Sequence, residues 1–122
     1  MDFQCTAALL TLAVENVEAI AQFYSQLLGQ APSLHTPQVY AEFQLPGLRL
    51  GIFRPRAAHQ DQFQSTSGSM SLCLEVDDLE GAIAHLTQLG QPPPSSLQNA
   101  SHGQEIYAYD PAGNRLILHQ ST

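Results

Sequence analysis

The side chains with the widest chemical range are five histidines, two cysteines and eleven carboxylates, set against four arginines and no lysine. Cys5 and Cys73 show neither a metal-binding nor a redox spacing, and no disulfide framework is indicated. His35, His59 and His102 fall in expected loops or turns, and His85 falls on an expected helix, off its apolar stripe. No two share the spacing of a helical metal pair. Glu75 is the one carboxylate expected on the ligand-facing side of a strand. General-base work there requires a raised pKa and a substrate proton within reach; otherwise Glu75 is a partner for an arginine. Cys73 reads as a small buried hydrophobe, because a nucleophilic thiol needs an activating neighbour and no histidine lies near it in sequence. Arg49 and Arg115 read as ligand contacts or as partners of acidic neighbours, and His119 as a ligand contact or a solvated residue.

The elements that must position these groups come from an internal repeat. Leu10-Thr11-Leu12-Ala13-Val14-Glu15-Asn16-Val17-Glu18 matches Leu72-Cys73-Leu74-Glu75-Val76-Asp77-Asp78-Leu79-Glu80, at an offset of 78 − 16 = 62. Each copy starts with alternating apolar residues, a strand signature, and continues at helical spacing. The first helix carries Val17, Ile20, Ala21, Tyr24, Leu27 and Leu28; the second carries Leu79, Ala82, Ile83, Leu86 and Leu89. Asn16 and Asp78 suit N-caps, and Gly29 and Gly90 suit helix ends. Alternation then predicts hairpins: Val39 to Leu45 with Leu48 to Phe53, and Glu105 to Tyr109 with Arg115 to His119. Asp110-Pro111-Ala112-Gly113-Asn114 reads as the second hairpin's turn rather than a calcium loop. The expected organisation is one domain over 1–122, with half-modules 1–54 and 69–122, a polar linker 55–68, and a flexible loop from about Pro92 to Gly103.

Period-two geometry sorts each strand onto two faces. The helices cover one face of each small sheet, and the other faces are expected to meet across a ligand-binding cleft. The side chains assigned to it are Thr11, Arg49, Phe53, Ser71, Cys73, Glu75, Tyr107, Tyr109, Arg115 and His119. Tyr107, Tyr109, Tyr40 and Phe43 read as stacking contacts for a planar ligand or as caps of the sheet edge, and Phe23 and Tyr24 as helix packing.

The net charge of −7 argues against nucleic acid and anionic membranes as partners. No run of about 20 apolar residues spans a bilayer. Asp2 stands where a secretory leader carries positive charge, so a cytoplasmic location is expected.

This pattern resembles the vicinal oxygen chelate superfamily, which includes glyoxalase I, bleomycin-resistance proteins and extradiol dioxygenases. Three motifs carry the resemblance. Leu12-Ala13-Val14-Glu15-Asn16-Val17 is followed by Phe23-Tyr24 and Leu27-Leu28-Gly29. Leu74-Glu75-Val76-Asp77-Asp78-Leu79 is followed by Leu89-Gly90, and the last motif is Asp110-Pro111-Ala112-Gly113-Asn114-Arg115-Leu116. The resemblance implies an α+β fold of two tandem βαβββ modules, whose curved mixed sheets enclose a cleft, and implies a homodimer. Metal enzymes of this group carry His, Glu or Gln ligands at four strand positions. Counting from the motifs, those positions here hold Leu9, Gly51, Ser71 and Ile117, so no metal and no cofactor is expected. The expected function is metal-independent binding of an apolar or aromatic small molecule. The alternatives are an enzyme of the same fold (a lyase, isomerase or dioxygenase), with Glu75 as its candidate catalytic residue or with an unrecognised metal, and a partner-binding domain with a filled cleft.

Overall fold

Both copies of the repeat fold as strand, helix and three further strands in the computed structural model, which describes residues 3–64 and 68–122. The first comprises β1 (Leu10–Ala13), α1 (Val17–Leu28), β2 (Leu34–Thr36), β3 (Tyr40–Leu45) and β4 (Leu48–Phe53). The second comprises β5 (Leu72–Glu75), α2 (Leu79–Gln88), β6 (Gln98–Ala100), β7 (Gly103–Tyr109) and β8 (Arg115–Ser121). The chain divides into two compact units, Met1–Gln64 and Ser65–Thr122. The fold is α+β, with one four-stranded mixed sheet in each unit.

The strand orders are equivalent: β1-β4-β3-β2 in the first sheet and β5-β8-β7-β6 in the second. The first strand of each module lies parallel to the last, and the remaining pairs are antiparallel. The intervening helix makes the parallel pairing geometrically feasible. Both helices begin at the expected caps. The Asn16 side chain accepts from the Ala19 N–H at 3.0 Å, and Asp78 accepts from the Gly81 N–H at 3.0 Å. Helix α1 stops at Gly29, whose φ of 67° is left-handed and suits a residue without a Cβ.

The buried stripe of α1 is Val17, Ile20, Ala21, Phe23 and Tyr24. It covers a fully buried layer of Ala41, Phe43, Leu50 and Ile52, with Tyr24 tilted against Phe43 at 6.5 Å between ring centroids. Phe43 is therefore packing rather than a ligand contact. In the second unit Leu79 and Leu86 are buried with Ile106, Ala108, Leu116 and Leu118. Each fully buried leucine or phenylalanine contributes roughly 1.5–3 kcal/mol. Both helical stripes are narrower than expected: Leu27, Leu28, Ala82, Ile83 and Leu89 are only half-buried. Gln120 points to the helix side of β8 and accepts from the Leu79 N–H at 2.7 Å, fixing the start of α2 on the sheet.

Two stretches carry more structure than expected. In the anticipated linker, Ala57–Phe63 forms a 3-10 helix that includes His59, and Phe63 meets Phe53 edge-on at 5.2 Å. Positions 65–67 of that linker, like Asp2, lie outside the described residues. The expected loop from Pro92 to Gly103 contains β6, paired with β7. His35 lies in β2 rather than in a loop. The turn after β7 is as expected: buried Asp110 accepts from the Ala112 and Asn114 backbone N–H groups, each at 2.9 Å.

Gln38 is the one non-glycine residue with positive φ, at 64°, among the described residues. Its N–H donates to Glu18 at 2.7 Å, and the same carboxylate lies 2.9 Å from His35 Nε2. The Gln38 amide first, and then His35, hold the Glu18 carboxyl below the usual carboxylate range. The backbone donor does not depend on the side chain. Gln38→Gly is therefore expected to stabilise the protein by about 0.5 kcal/mol, the left-handed penalty less the added unfolded-state entropy. An unchanged or lower urea midpoint would show that the left-handed backbone costs nothing here.

Candidate functional site

Strand register sorts the expected site residues onto the helix-free face of each sheet, because directly paired residues project to the same side. On the first sheet Thr11, Gly51 and Glu42 form one row, Ala13, Phe53 and Tyr40 the next, and Arg49 with Gln44 a third. On the second sheet the rows are Cys73, Ile117 and Tyr107; Glu75, His119 and Glu105; and Arg115 with Tyr109. Ser71 precedes β5 and touches Arg115. Thr11, Arg49 and Phe53 thus belong to the first unit, and the other seven expected residues to the second. Glu75 is not alone as a carboxylate, because Glu42 and Glu105 share these faces.

Glu42 is the main addition. It is 4% exposed and supports a polar cluster. The Tyr40 hydroxyl donates to its Oε1 at 2.6 Å, Gln44 Nε2 donates to Oε2 at 3.2 Å, and Arg49 Nη1 lies 3.6 Å from Oε2. Burial first, and then the hydrogen bond and charge of Glu42, push the Tyr40 phenol up to about 12. Tyr40 is therefore a neutral donor at ordinary pH. The signal for this cluster lies in β3, where Glu42 alternates with the core residues Ala41 and Phe43.

The second unit joins Glu75 to His119. Nδ1 of His119 is 2.7 Å from Glu75 Oε1, and Ser121 Oγ donates to Oε2 at 3.4 Å. His119 is 5% exposed, so it is buried rather than solvated. The His102 ring stacks on it at 4.6 Å and 27°. The hydrogen bond from His119 is the main cause that holds the Glu75 carboxyl below its usual range. That direction opposes what a carboxylate general base needs. Cys73 is exposed rather than buried, yet partial desolvation, with Glu75 and Glu105 adding to it, pushes its thiol up and disfavours the thiolate. Arg115 donates from Nε to Ser71 Oγ at 2.8 Å and from Nη2 to the Gly68 carbonyl. Its partners are neutral among the described residues, unlike the acidic partner of Arg49.

Similarity to known proteins agrees with this architecture. The family model of the Glyoxalase/Bleomycin resistance protein/Dioxygenase superfamily matches residues 6–118. The chain belongs to that superfamily. A glyoxalase/bleomycin resistance protein/dioxygenase family enzyme of Burkholderia phytofirmans superposes with a TM-score of 0.79 at 17% identity, over 93% of this chain and 96% of that one. A protein of Agrobacterium tumefaciens solved by NMR gives 0.75 at 26% identity, over 93% and 95% of the two chains. Lactoylglutathione lyase from Agrobacterium tumefaciens gives 0.71 at 20%, over 95% and 94%. No curated protein matches.

The metal centre that superfamily enzymes imply does not fit the residues here. A Cβ at Gly51 would lie 2.7 Å from the Tyr40 hydroxyl, so that phenol fills the space a ligand side chain would need. Ser71 is engaged by Arg115, and Leu9 and Ile117 have no donor atoms in their side chains. Among the described residues, no three His, Cys, Asp or Glu side chains form a group able to hold a metal ion. Among the same residues, no helix is long and apolar enough to cross a membrane.

Proposed function

We propose that this superfamily member is a metal-independent small-molecule binding protein that holds an apolar or aromatic ligand against the helix-free sheet faces. The filling of the Gly51 position by Tyr40 carries this reading. Half-buried Phe53, Tyr107, Tyr109 and Ile117 supply apolar and aromatic surface there, and a few fixed polar groups supply orientation. The reading extends to a cytoplasmic homodimer, in which a second copy covers apolar side chains such as Phe3 and Met70, 95% and 73% exposed. Light scattering is expected to give twice the chain mass.

Thermal shift tests the core of the proposal. EDTA-stripped protein is titrated with manganese, iron(II), nickel and zinc, and then with a panel of aromatic compounds. A ligand of the native state stabilises by about 2.7 kcal/mol at a hundred times its Kd. The expected result is no saturable shift with any metal and a saturable one with an aromatic compound. A saturable shift with a metal would overturn the proposal in favour of an enzyme with an unrecognised metal.

A further inference from the structure

We propose that His119 is a proton acceptor, oriented by Glu75 and covered by His102, and that its site takes phenols, small aromatic molecules with an acidic O–H. This goes beyond binding by assigning proton chemistry to one face. It rests on the binding reading only for the delivery of an aromatic ligand.

A carboxylate only accepts hydrogen bonds, so the 2.7 Å contact with Glu75 places the proton on Nδ1 of the neutral ring. Nε2 then carries the basic lone pair. A carboxylate behind an imidazole fixes the tautomer and stabilises the imidazolium formed when the ring takes a proton. The second observation is independent. Nε2 of His119 is buried and has no hydrogen-bond partner among the described residues, on a side chain only 6% exposed. Buried polar atoms are nearly always paired, so this lone pair is open to a hydrogen-bond donor from outside the chain, a ligand O–H or a water.

The approach to Nε2 is guarded by two residues. His102 is exposed, next to the start of β7, and its ring lies over His119. A side chain at Gly103 would begin 3.0 Å from Nε2 and collide with the Gln120 carbonyl, so only glycine lets the hairpin close this tightly. Rotation of the exposed His102 side chain is the small motion that uncovers one face of the ring. The other titratable or charged groups on this face are Glu105, in the same row as His119, Cys73 and Tyr107 in the adjacent row, and Arg115 with Tyr109 in the row beyond. In the step itself the ligand O–H bond breaks and the Nε2–H bond forms. The electron pair stays on the ligand oxygen, and the proton later returns from the imidazolium to ligand or water.

Carbethoxylation by diethyl pyrocarbonate, mapped to His119 by peptide mass spectrometry, reads the accessible lone pair directly. The stacked His102 contact is of a size that a roughly tenfold change reports. His102→Ala is therefore expected to speed modification of His119 about tenfold, and Glu75→Gln to slow it severalfold. Equal rates in wild type and His102→Ala would remove the cover; equal rates in wild type and Glu75→Gln would remove the orienting role. Long-range proton–nitrogen NMR on the wild-type protein is a check that needs no variant. It should show Nδ1 protonated and Nε2 bare, and the opposite neutral tautomer would overturn the dyad. Phenol is the ligand probe, expected to protect His119 saturably. No protection at any concentration would overturn the assigned ligand class. The dyad measurements use no ligand, so their failure is distinguishable from failure of the binding reading.

Discussion

Gly51→Ala is expected to destabilise the protein by about 1–3 kcal/mol, the usual cost of forcing a methyl into a filled site. The added carbon would sit 2.7 Å from the Tyr40 hydroxyl and 3.1 Å from its Cε1, inside normal contact distances. The phenol could swing away only by giving up its 2.6 Å bond to Glu42. The backbone at Gly51 is in a strand register shared with Thr11 and Glu42, so the strain is steric and not conformational. A double-mutant cycle isolates it: in a Tyr40→Ala background the alanine at 51 should cost little, a coupling of about 1 kcal/mol or more. Equal urea midpoints for wild type and Gly51→Ala would mean that the phenol moves freely, and would weaken the argument against a metal ligand at this position. Gly51→Glu is expected to bind no metal either, because Leu9, Ser71 and Ile117 supply no companion ligand set.

The modular plan is legible in the sequence because each half writes the same local physics twice. Asn16 and Asp78 cap, Gly29 stops a helix, and Asp110 closes a turn with the bonds its side chain suggests. Strand faces are legible too, since alternation alone puts Cys73, Glu75, Ile117 and His119 on the side away from the helix. Contacts between strands distant in sequence are not. Glu75 and His119 are 44 positions apart, and only the parallel β5–β8 register sets them side by side. The burial of His119 follows from this register together with the closing of the β6–β7 turn, in which His102 lies over the ring. Glu42 illustrates a different obstacle. Alternation with Ala41 and Phe43 puts this carboxylate on the helix-free face, but its burial depends on Tyr40, Gln44 and Arg49 arriving together from two strands.

Removing the charge of Glu42 should show in both stability and titration. Glu42→Ala strands the Tyr40 hydroxyl and the Gln44 amide and leaves Arg49 without its counter-charge, at an expected cost of about 3 kcal/mol. Arg49 is 36% exposed and keeps part of its hydration, which holds the cost below that of a fully buried pair. Glu42→Gln preserves shape and isolates the electrostatics. In the wild type the Tyr40 phenol titrates at about 12 against an ordinary 10, so the fold favours the neutral form. That contribution is complete below pH 10 and is lost as pH rises to about 12. In Glu42→Gln the burial contribution, the largest single cause, remains, while the carboxylate's charge and its strong acceptor are gone. The Tyr40 transition should therefore move down from about 12 without reaching 10, and the loss of stability should finish at a lower pH. Ultraviolet titration of phenolate formation reads this, with Tyr40→Phe subtracted to separate Tyr40 from the other tyrosines. An unchanged Tyr40 transition in Glu42→Gln would mean that burial alone shifts the phenol, and that the 2.6 Å bond does not couple the two groups.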